Sequence, residues 1–513
     1  MSAITTTSQA DSESKGLKGG ALGLFGSVVV GLASTAPAYS LAATLGWVVL
    51  AGAGLKSPAV MLLAFIPMYF IAVAYKELNE AEPDCGTTFT WATRAFGPFT
   101  GFFGGWAIIV SDVIVMANLA EIAGAYSFTL ANELGIHNTL DQSTFWATVA
   151  GVIWIAIMTY ICYRGIEVSA RLQYGLLGIE IFTLIVFVIV ALSKVYTGNA
   201  LATSLHPSLS WLWPSGMSMS TLAGTVLLAV FIYWGWDTAV TTNEEADDPS
   251  RTPGRAAVIS TVMLLLIYLL VSVATVAFAG VGDKGVGLGN EDNATDVFSG
   301  IGPALYGNST LGHIGLTLLA VSILTSASSS TQTTILPTAR TALSMATFGA
   351  FPKKLASMHA RFNSPSWTTI GMGVVSIAFY VGATWFSPTL LTALIGAIGL
   401  QIAFYYGLTG FACVWLYRRS ILSDARHFVT RGLIPFLGGT FLFVMFWYAF
   451  KTYAAVDWLV DADGKNVTIL GLGAVAVVGV AALLIGIIPL VLQWVTSPAY
   501  FRGQTLPRRR YDE

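Results

Sequence analysis

About twelve apolar runs, each near the roughly 20 residues that carry an α-helix across a bilayer, divide this 513-residue chain. They fall at 20–48, 58–76, 98–130, 144–163, 172–195, 217–246, 256–280, 312–347, 367–387, 390–417, 432–453 and 468–495. A closed β-barrel is the other way to span lipid, but its segments are about ten residues of alternating polarity, and these runs are continuous and twice as long. The expectation is an all-α integral membrane protein with about 12 transmembrane helices. Composition agrees: 10% of the residues are charged, against about 25% in soluble domains. So few charges cannot cover a water-exposed surface, which excludes a soluble enzyme, a nucleic-acid binder and a disordered scaffold. Lipid is therefore an expected partner and nucleic acid is not.

Residues 1–18 are polar and rich in Ser and Thr, without the apolar core and cleavage site of a removable signal peptide. They read as a disordered cytoplasmic tail. With that tail inside, only Lys56, Lys194, Lys284, Lys451 and Lys465 of the 25 Lys and Arg fall in outside segments, and the other 20 fall inside. Basic residues are retained on the cytoplasmic side. The asymmetry thus requires an even number of spans, with both termini cytoplasmic in a multi-pass plasma-membrane protein. Cys85, Cys162 and Cys413 lie far apart and read as packing residues, so neither a disulfide framework nor a metal site is expected. No cofactor is called for.

Two spans break the membrane rules. Gly31-Leu32-Ala33-Ser34-Thr35-Ala36-Pro37 puts two hydroxyls and a proline in the middle of an apolar run, and proline disfavours helix at the residues before it. A proline kink patched by Ser34 and Thr35 is the plainer alternative. In the sixth span, Phe231-Ile232-Tyr233-Trp234-Gly235-Trp236-Asp237 crowds aromatic rings around a glycine and ends on a carboxylate. Interrupted helices survive in lipid only where the freed backbone lines protein or a cavity. Breaks in spans one and six correspond if the first ten helices are two five-helix repeats, which is the pattern of a secondary transporter with a mid-membrane site. The chain then divides into a ten-helix core at 19–417, with repeats at about 19–195 and 217–417, two peripheral helices at 432–495 and a cytoplasmic tail at 496–513. Half-helix ends offer unpaired N–H groups at one pole and carbonyls at the other. Two such ends side by side suit a zwitterion, walled by Tyr233, Trp234 and Trp236; helix packing is the alternative role for these rings.

Several segments resemble one family. Pro83-Asp84-Cys85-Gly86-Thr87-Thr88-Phe89-Thr90-Trp91, then Arg94-Ala95-Phe96-Gly97-Pro98 and Gly101-Phe102-Phe103-Gly104-Gly105-Trp106, is similar to the loop and third helix of the amino acid–polyamine–organocation (APC) superfamily. Arg164-Gly165-Ile166-Glu167-Val168-Ser169, the run from Gly235-Trp236-Asp237 through Glu244-Glu245 to Pro253, and Ala339-Arg340 with Phe351-Pro352 and Ser364-Pro365 resemble it in order. The resemblance implies a LeuT-like fold with 5+5 inverted repeats, discontinuous helices 1 and 6, and two peripheral helices. It further implies that Gly31-Leu32-Ala33 stands where family members carry Gly-Ser-Gly, whose N–H groups hold the substrate carboxylate. Carbonyls of Phe231, Ile232 and Trp234 would then receive the amino group. Gly-Leu-Ala followed by Pro37, together with Trp236-Asp237, is more similar to putrescine importers.

Four acids lie inside spans without a base at depth: Asp112, Glu121, Glu180 and Asp237. Such carboxyls either take up a proton or await a cation that arrives with transport. Glu180 occupies a region where the resemblance implies a lysine standing in for sodium, so the charge is reversed. It and Asp112 are the candidates for proton coupling, with hydrogen bonding to neighbouring helices the alternative for Asp112 and an interfacial position for Glu121. Asp237 is expected either to cap the second half-helix or to meet a substrate amine. Ser326, Ser328, Ser329, Ser330 and Thr331 form a hydroxyl run in the eighth span that could serve substrate, ion or packing.

The reading is a secondary transporter for amino acids, proton-coupled or exchanging, with import of putrescine or another small amine as the alternative. A channel would show a selectivity-filter repeat. The five histidines fall in loops or at span ends, which leaves an enzyme little to work with, and no Gly-x-x-x-x-Gly-Lys loop supports a primary pump.

Overall fold

The computed structural model describes residues 15–461 and 463–511. Residues 1–14 of the expected amino-terminal tail and 512–513 of the carboxy-terminal one lie outside the described residues. Most of the rest is helix, because in hydrocarbon a helix satisfies its own peptide groups.

The first pass is split into α1 (Leu24–Ser34) and α2 (Pro37–Val48). The chain reverses at Gly52 and Gly54, both at positive φ, and returns as α3 (Ser57–Ala81). The short α4 (Thr88–Phe96) precedes the 36-residue α5 (Pro98–Glu133), and α6 (Thr144–Tyr163) and α7 (Ile166–Tyr196) follow. The same order then recurs. Another split pass, α8 (Met219–Phe231) and α9 (Thr238–Thr241), leads to the long α10 (Thr252–Ala279) and the short α11 (Val297–Tyr306). The 38-residue α12 (Thr310–Thr347), α13 (Ser366–Phe386) and α14 (Pro388–Leu416) complete the second set. Five passes in the first set turn the second one upside down.

Beyond it, α15 (Ala425–His427) runs through a π-helical turn into α16 (Ile434–Ala454). A hairpin of β1 (Thr468–Ile469) and β2 (Leu472–Gly473) precedes the last pass, α17 (Ala474–Leu484) with α18 (Ile487–Thr496). Among the described residues, 10 helical stretches are long and apolar enough to cross a membrane. One of them, Leu24–Ala81, holds two passes, and the α8–α9 pair adds another, which accounts for the twelve runs of the sequence. Large apolar side chains on the outer helices, Ile153, Ile157, Ile185, Ile189 and Val374 among them, are exposed. Lipid is the solvent for that surface.

At the end of the bundle where most basic residues sit, the chain closes on itself. Lys15, its side chain 5% exposed, donates to Asp84 at 2.7 Å and to Glu244 at 2.5 Å. The Asp84, Cys85 and Glu244 ligand atoms lie within 4.8 Å of one another, and the lysine ammonium bonds to the two carboxylates of that group. The other Asp84 oxygen accepts from the Gly86 N–H and from the Thr90 and Ser344 hydroxyls, each at 2.7 Å. Burial opposes charge on both groups, but each stabilises the other, so the Asp84 carboxyl lies below its ordinary range and the Lys15 ammonium above its own. Backbone pairing reinforces the contact: Ala21 N–H donates to the Glu245 carbonyl at 2.8 Å and Asp247 N–H to that of Leu22 at 2.9 Å. Beneath it Arg340 grips Glu245 through two bonds of 2.5 and 2.8 Å with both side chains buried.

Residues 507–511 are seated beside this closure. Arg94 donates to the Pro507 carbonyl at 2.8 Å, Arg509 N–H to the Arg94 carbonyl and Tyr511 N–H to the Leu416 carbonyl, both at 3.2 Å.

Candidate functional site

The first break is narrower than the run Gly31–Pro37. α1 stays helical through Ser34, and Ala36 alone turns left-handed (φ 47°, ψ 62°) before Pro37 starts α2. Gly31 is buried inside α1. The Leu32 carbonyl accepts from the Thr35 hydroxyl at 2.8 Å and the Ala33 carbonyl from the Ala36 N–H at 3.3 Å. Hydroxyls therefore close the carboxy-terminal end of α1. At the start of α2 the orphan donors are met from other spans: Ala38 N–H donates to Glu180 Oε1 at 2.7 Å and Tyr39 N–H to Ser326 Oγ at 3.2 Å. Ser326 in turn donates to the same Glu180 oxygen at 2.8 Å. A carboxyl at the positive pole of a half-helix is a favourable placement. Glu180 thus ties α7, α2 and α12 together, while its Oε2 has no hydrogen-bond partner among the described residues.

The second break spans Ile232–Asp237, between α8 and α9, and pivots on Gly235 at φ 116°. The two breaks touch. A Cβ on Gly235 would stand 2.8 Å from the Ser34 carbonyl oxygen and 2.9 Å from its carbon, closer than atoms pack, so only glycine allows this approach. Across the contact the Ser34 and Thr238 hydroxyls are 2.9 Å apart, and Ser330 of α12 donates to the Ser34 carbonyl at 2.8 Å.

The aromatic residues divide by role. Tyr233 is fully buried, donates to the Met61 carbonyl at 3.0 Å and packs edge-on against Tyr268, 4.9 Å between centroids. Trp236 is fully buried between Tyr75 and Tyr406, at 5.2 and 5.1 Å. Both are wedges between helices. Ile232 is buried and its carbonyl is taken by the Tyr268 hydroxyl at 2.5 Å; the Phe231 carbonyl accepts the Trp234 N–H at 3.0 Å. Phe231 and Trp234 have ring centroids 6.2 Å apart. Phe231 and Ser34 are half-buried, unlike the sealed Ile232 and Tyr233, and Phe231 lines a small apolar pocket with Leu227, Ile402, Leu442 and Met445, between α8, α14 and α16.

Asp237 neither caps α9 with its side chain nor faces the break unpaired. Its oxygens accept from the Tyr405 and Tyr406 hydroxyls of α14, at 3.1 and 2.8 Å, and Trp234 Nε1 donates to Tyr405. The physical reason is that a carboxylate in an apolar interior takes the nearest strong donors, and two adjacent phenols on α14 supply them. Asp112 is buried on α5 and accepts from the Thr338 hydroxyl at 2.6 Å. Glu121 is half-buried one helical face away. The structure thus brings Ser34 against Gly235 and Thr238, links Phe231, Trp234 and Asp237 through ring contact and Tyr405, places the Thr35 hydroxyl on the end of α1, seats Glu180 at the start of α2, and assigns Gly31, Tyr233 and Trp236 to packing. Sequence reasoning missed Tyr405 and Tyr406; the signal was two adjacent hydroxyl-bearing rings in the tenth span.

Likeness to known proteins bears on this arrangement. The amino acid permease family matches residues 20–460. The branched-chain amino acid permease BcaP of Lactococcus lactis is 24% identical over 432 residues, covering 78% of this chain and 84% of that protein. The arginine/ornithine antiporter of Latilactobacillus sakei is 25% identical over 229 residues, 43% of this chain and 46% of that one. Among solved structures, MhsT in complex with L-phenylalanine superposes with a TM-score of 0.57 at 14% identity, covering 82% of this chain and 98% of MhsT. That likeness shows the LeuT-like fold.

Proposed function

The chain belongs to the amino acid permease family and is an amino acid transporter, and from that premise we propose that it carries its substrate by alternating access around the paired breaks, coupled to protons through Glu180. The observation that carries the reading is the contact of Gly235 with the Ser34 carbonyl: two interrupted half-helices, one from each set of five passes, meet where Phe231 and Trp234 stand. Ser34 and Thr238 supply hydroxyls for the polar end of an amino acid, and the rings supply a wall for its side chain. Both Asp237 oxygens are engaged by tyrosines, which favours an amino acid over a diamine, since a diamine would need a carboxylate free to receive its second ammonium.

Glu180 joins α2 to α7 and α12. A proton arriving at that carboxyl changes how strongly it holds the start of α2, and so biases the half-helix on which the site depends. At the end of the bundle carrying most basic residues, the Lys15, Asp84 and Glu244 contact closes the path. In this reading, that contact parts when the site opens to that side.

The test is uptake of labelled amino acids, with putrescine as a separate arm, into liposomes holding the purified chain or Trp234→Ala. Saturable uptake of an amino acid, lost or broadened in the variant, is the expected result. Putrescine uptake without any amino acid uptake, or a variant with unchanged selectivity, would overturn it.

A further inference from the structure

Away from the central site, a cavity of about 300 Å³ opens where α3 ends and α10 begins, lined by Lys76, Glu80, Ser250, Arg251, Arg255 and Arg426. Four cations face one acid. Lys76 is 3.7 Å from Glu77, but that carboxylate is held more closely by Arg431 at 2.7 Å. Arg251, Arg255 and Arg426 form no ion pair among the described residues; Asp248 and Asp424 act on Arg251 and Arg426 only at longer range. The cations are pressed together by packing, since Gly254 lies where a Cβ would meet the Lys76 Cα at 2.9 Å. Arg251 and Arg255 also stand at the positive end of a 28-residue helix whose first turn holds no acid, a position that disfavours cations. An anion in the cavity would relieve both repulsions.

The surroundings indicate what kind of anion. Ile259, Met263, Leu266 and Leu270 are exposed on α10, at spacings of three and four residues that continue one helix face upward from Arg255. Across α3, which packs between α10 and α16, Phe428, Leu433, Phe436 and Leu437 are exposed behind Arg426. The charged cavity therefore stands at the ends of two apolar stripes, one along α10 from Arg255 and one from the turn after Arg426 into α16.

We propose that this cavity is the headgroup site of an anionic phospholipid, with the phosphate among Lys76, Arg251, Arg255 and Arg426 and the acyl chains along the α10 and α16 stripes. Basic clusters at a membrane boundary recognise such lipids through the phosphate charge. Free phosphate shares that chemistry but would make no use of the stripes.

The experiment titrates the full chain, purified in detergent, with fluorescent phosphatidylglycerol, using phosphatidylcholine and inorganic phosphate as competitors. Each cation near an anionic lipid contributes roughly fivefold in affinity, so Arg251→Gln with Arg255→Gln should weaken binding roughly 30-fold, and Arg426→Gln on the opposite wall roughly fivefold. Lys353→Gln, an exposed cation that does not line the cavity, should bind like the parent. Equal affinity in the parent and the Arg426→Gln protein, or in the parent and a folded double variant, would overturn the proposal. So would displacement by inorganic phosphate at concentrations matching the lipid, or by phosphatidylcholine as readily as by phosphatidylglycerol itself.

Discussion

Replacing Glu180 with glutamine separates the shape of the carboxyl from its charge. Oε1 accepts two bonds, from Ala38 N–H at 2.7 Å and Ser326 Oγ at 2.8 Å, and a glutamine carbonyl can accept both in the same geometry. A bond to a charged acceptor contributes about 1.5–3 kcal/mol and a neutral one about 0.5–1.5. Two bonds therefore make the substitution cost about 2–3 kcal/mol if the folded protein holds an ionised carboxylate there, and close to nothing if the carboxyl is protonated. Glu180→Leu is the contrasting case: it leaves two buried donors unpaired at about 1–3 kcal/mol each. The assay is liposome uptake against external pH, with thermal unfolding of each variant in parallel. Glu180→Gln is expected to fold, bind substrate and take it up with a rate that no longer follows pH, whereas Glu180→Leu should unfold well below it. A glutamine variant with the parental pH profile would refute proton coupling through Glu180, and a leucine variant as stable as the parent would refute the hydrogen-bonded role at α2.

Gly235→Ala should abolish transport, because its Cβ would sit 2.8 Å from the Ser34 carbonyl at a φ of 116° that L residues rarely adopt; Gly224→Ala in α8, with nothing nearer than Tyr448 at 3.8 Å, should be neutral or stabilising by up to about 1 kcal/mol, and an active Gly235→Ala protein would count against contact between the breaks. Lys15→Met removes one partner of a buried ion pair, a change that costs about 3–5 kcal/mol, so the buried Cys85 thiol should react with a thiol reagent at least tenfold faster, measured with Cys162 and Cys413 replaced by alanine; an unchanged rate would remove Lys15 from the closure. Because the folded Asp84 carboxyl lies below its unfolded value, its contribution is present above the ordinary carboxylate range and is lost as pH falls through the lower folded value; the protection of the amides of residues 84–90 against exchange, relative to the free-chain rate at each pH, should hold at neutral pH and fall only in acid. Tyr406→Phe takes one of two phenols from Asp237 and should lower stability by about 1–3 kcal/mol, read by thermal unfolding; a variant matching the parent would show that water replaces the phenol.

The twelve passes were legible because lipid leaves a helix no alternative, and length alone then identifies each one. The first break was legible in kind through Pro37 but not in place. The run Gly31–Pro37 read as one interruption, yet Gly31 and Ala33 are buried in an intact α1, and the chain turns only at Ala36. Within the second break the sequence could not sort the rings. Leaving the helix at Ile232 discards the 3.6-residue phase that would say where Tyr233, Trp234 and Trp236 point, and the answer depends on Tyr75, Tyr268 and Tyr406 arriving from elsewhere in the chain. The partners of Asp237 were hidden for the same reason, being 168 and 169 positions away. Lys15 was concealed differently: a lysine in a polar stretch has no periodic signal, and its burial follows only from the two acids that the α3–α4 and α9–α10 connections bring to it.

The seat of residues 507–511 clasps the two sets of passes together. Its acceptors, the carbonyls of Arg94 and Leu416, belong to α4 in the first set and α14 in the second. A purification handle or fluorescent fusion placed near Tyr511 would therefore pull on a joint that both sets of passes share.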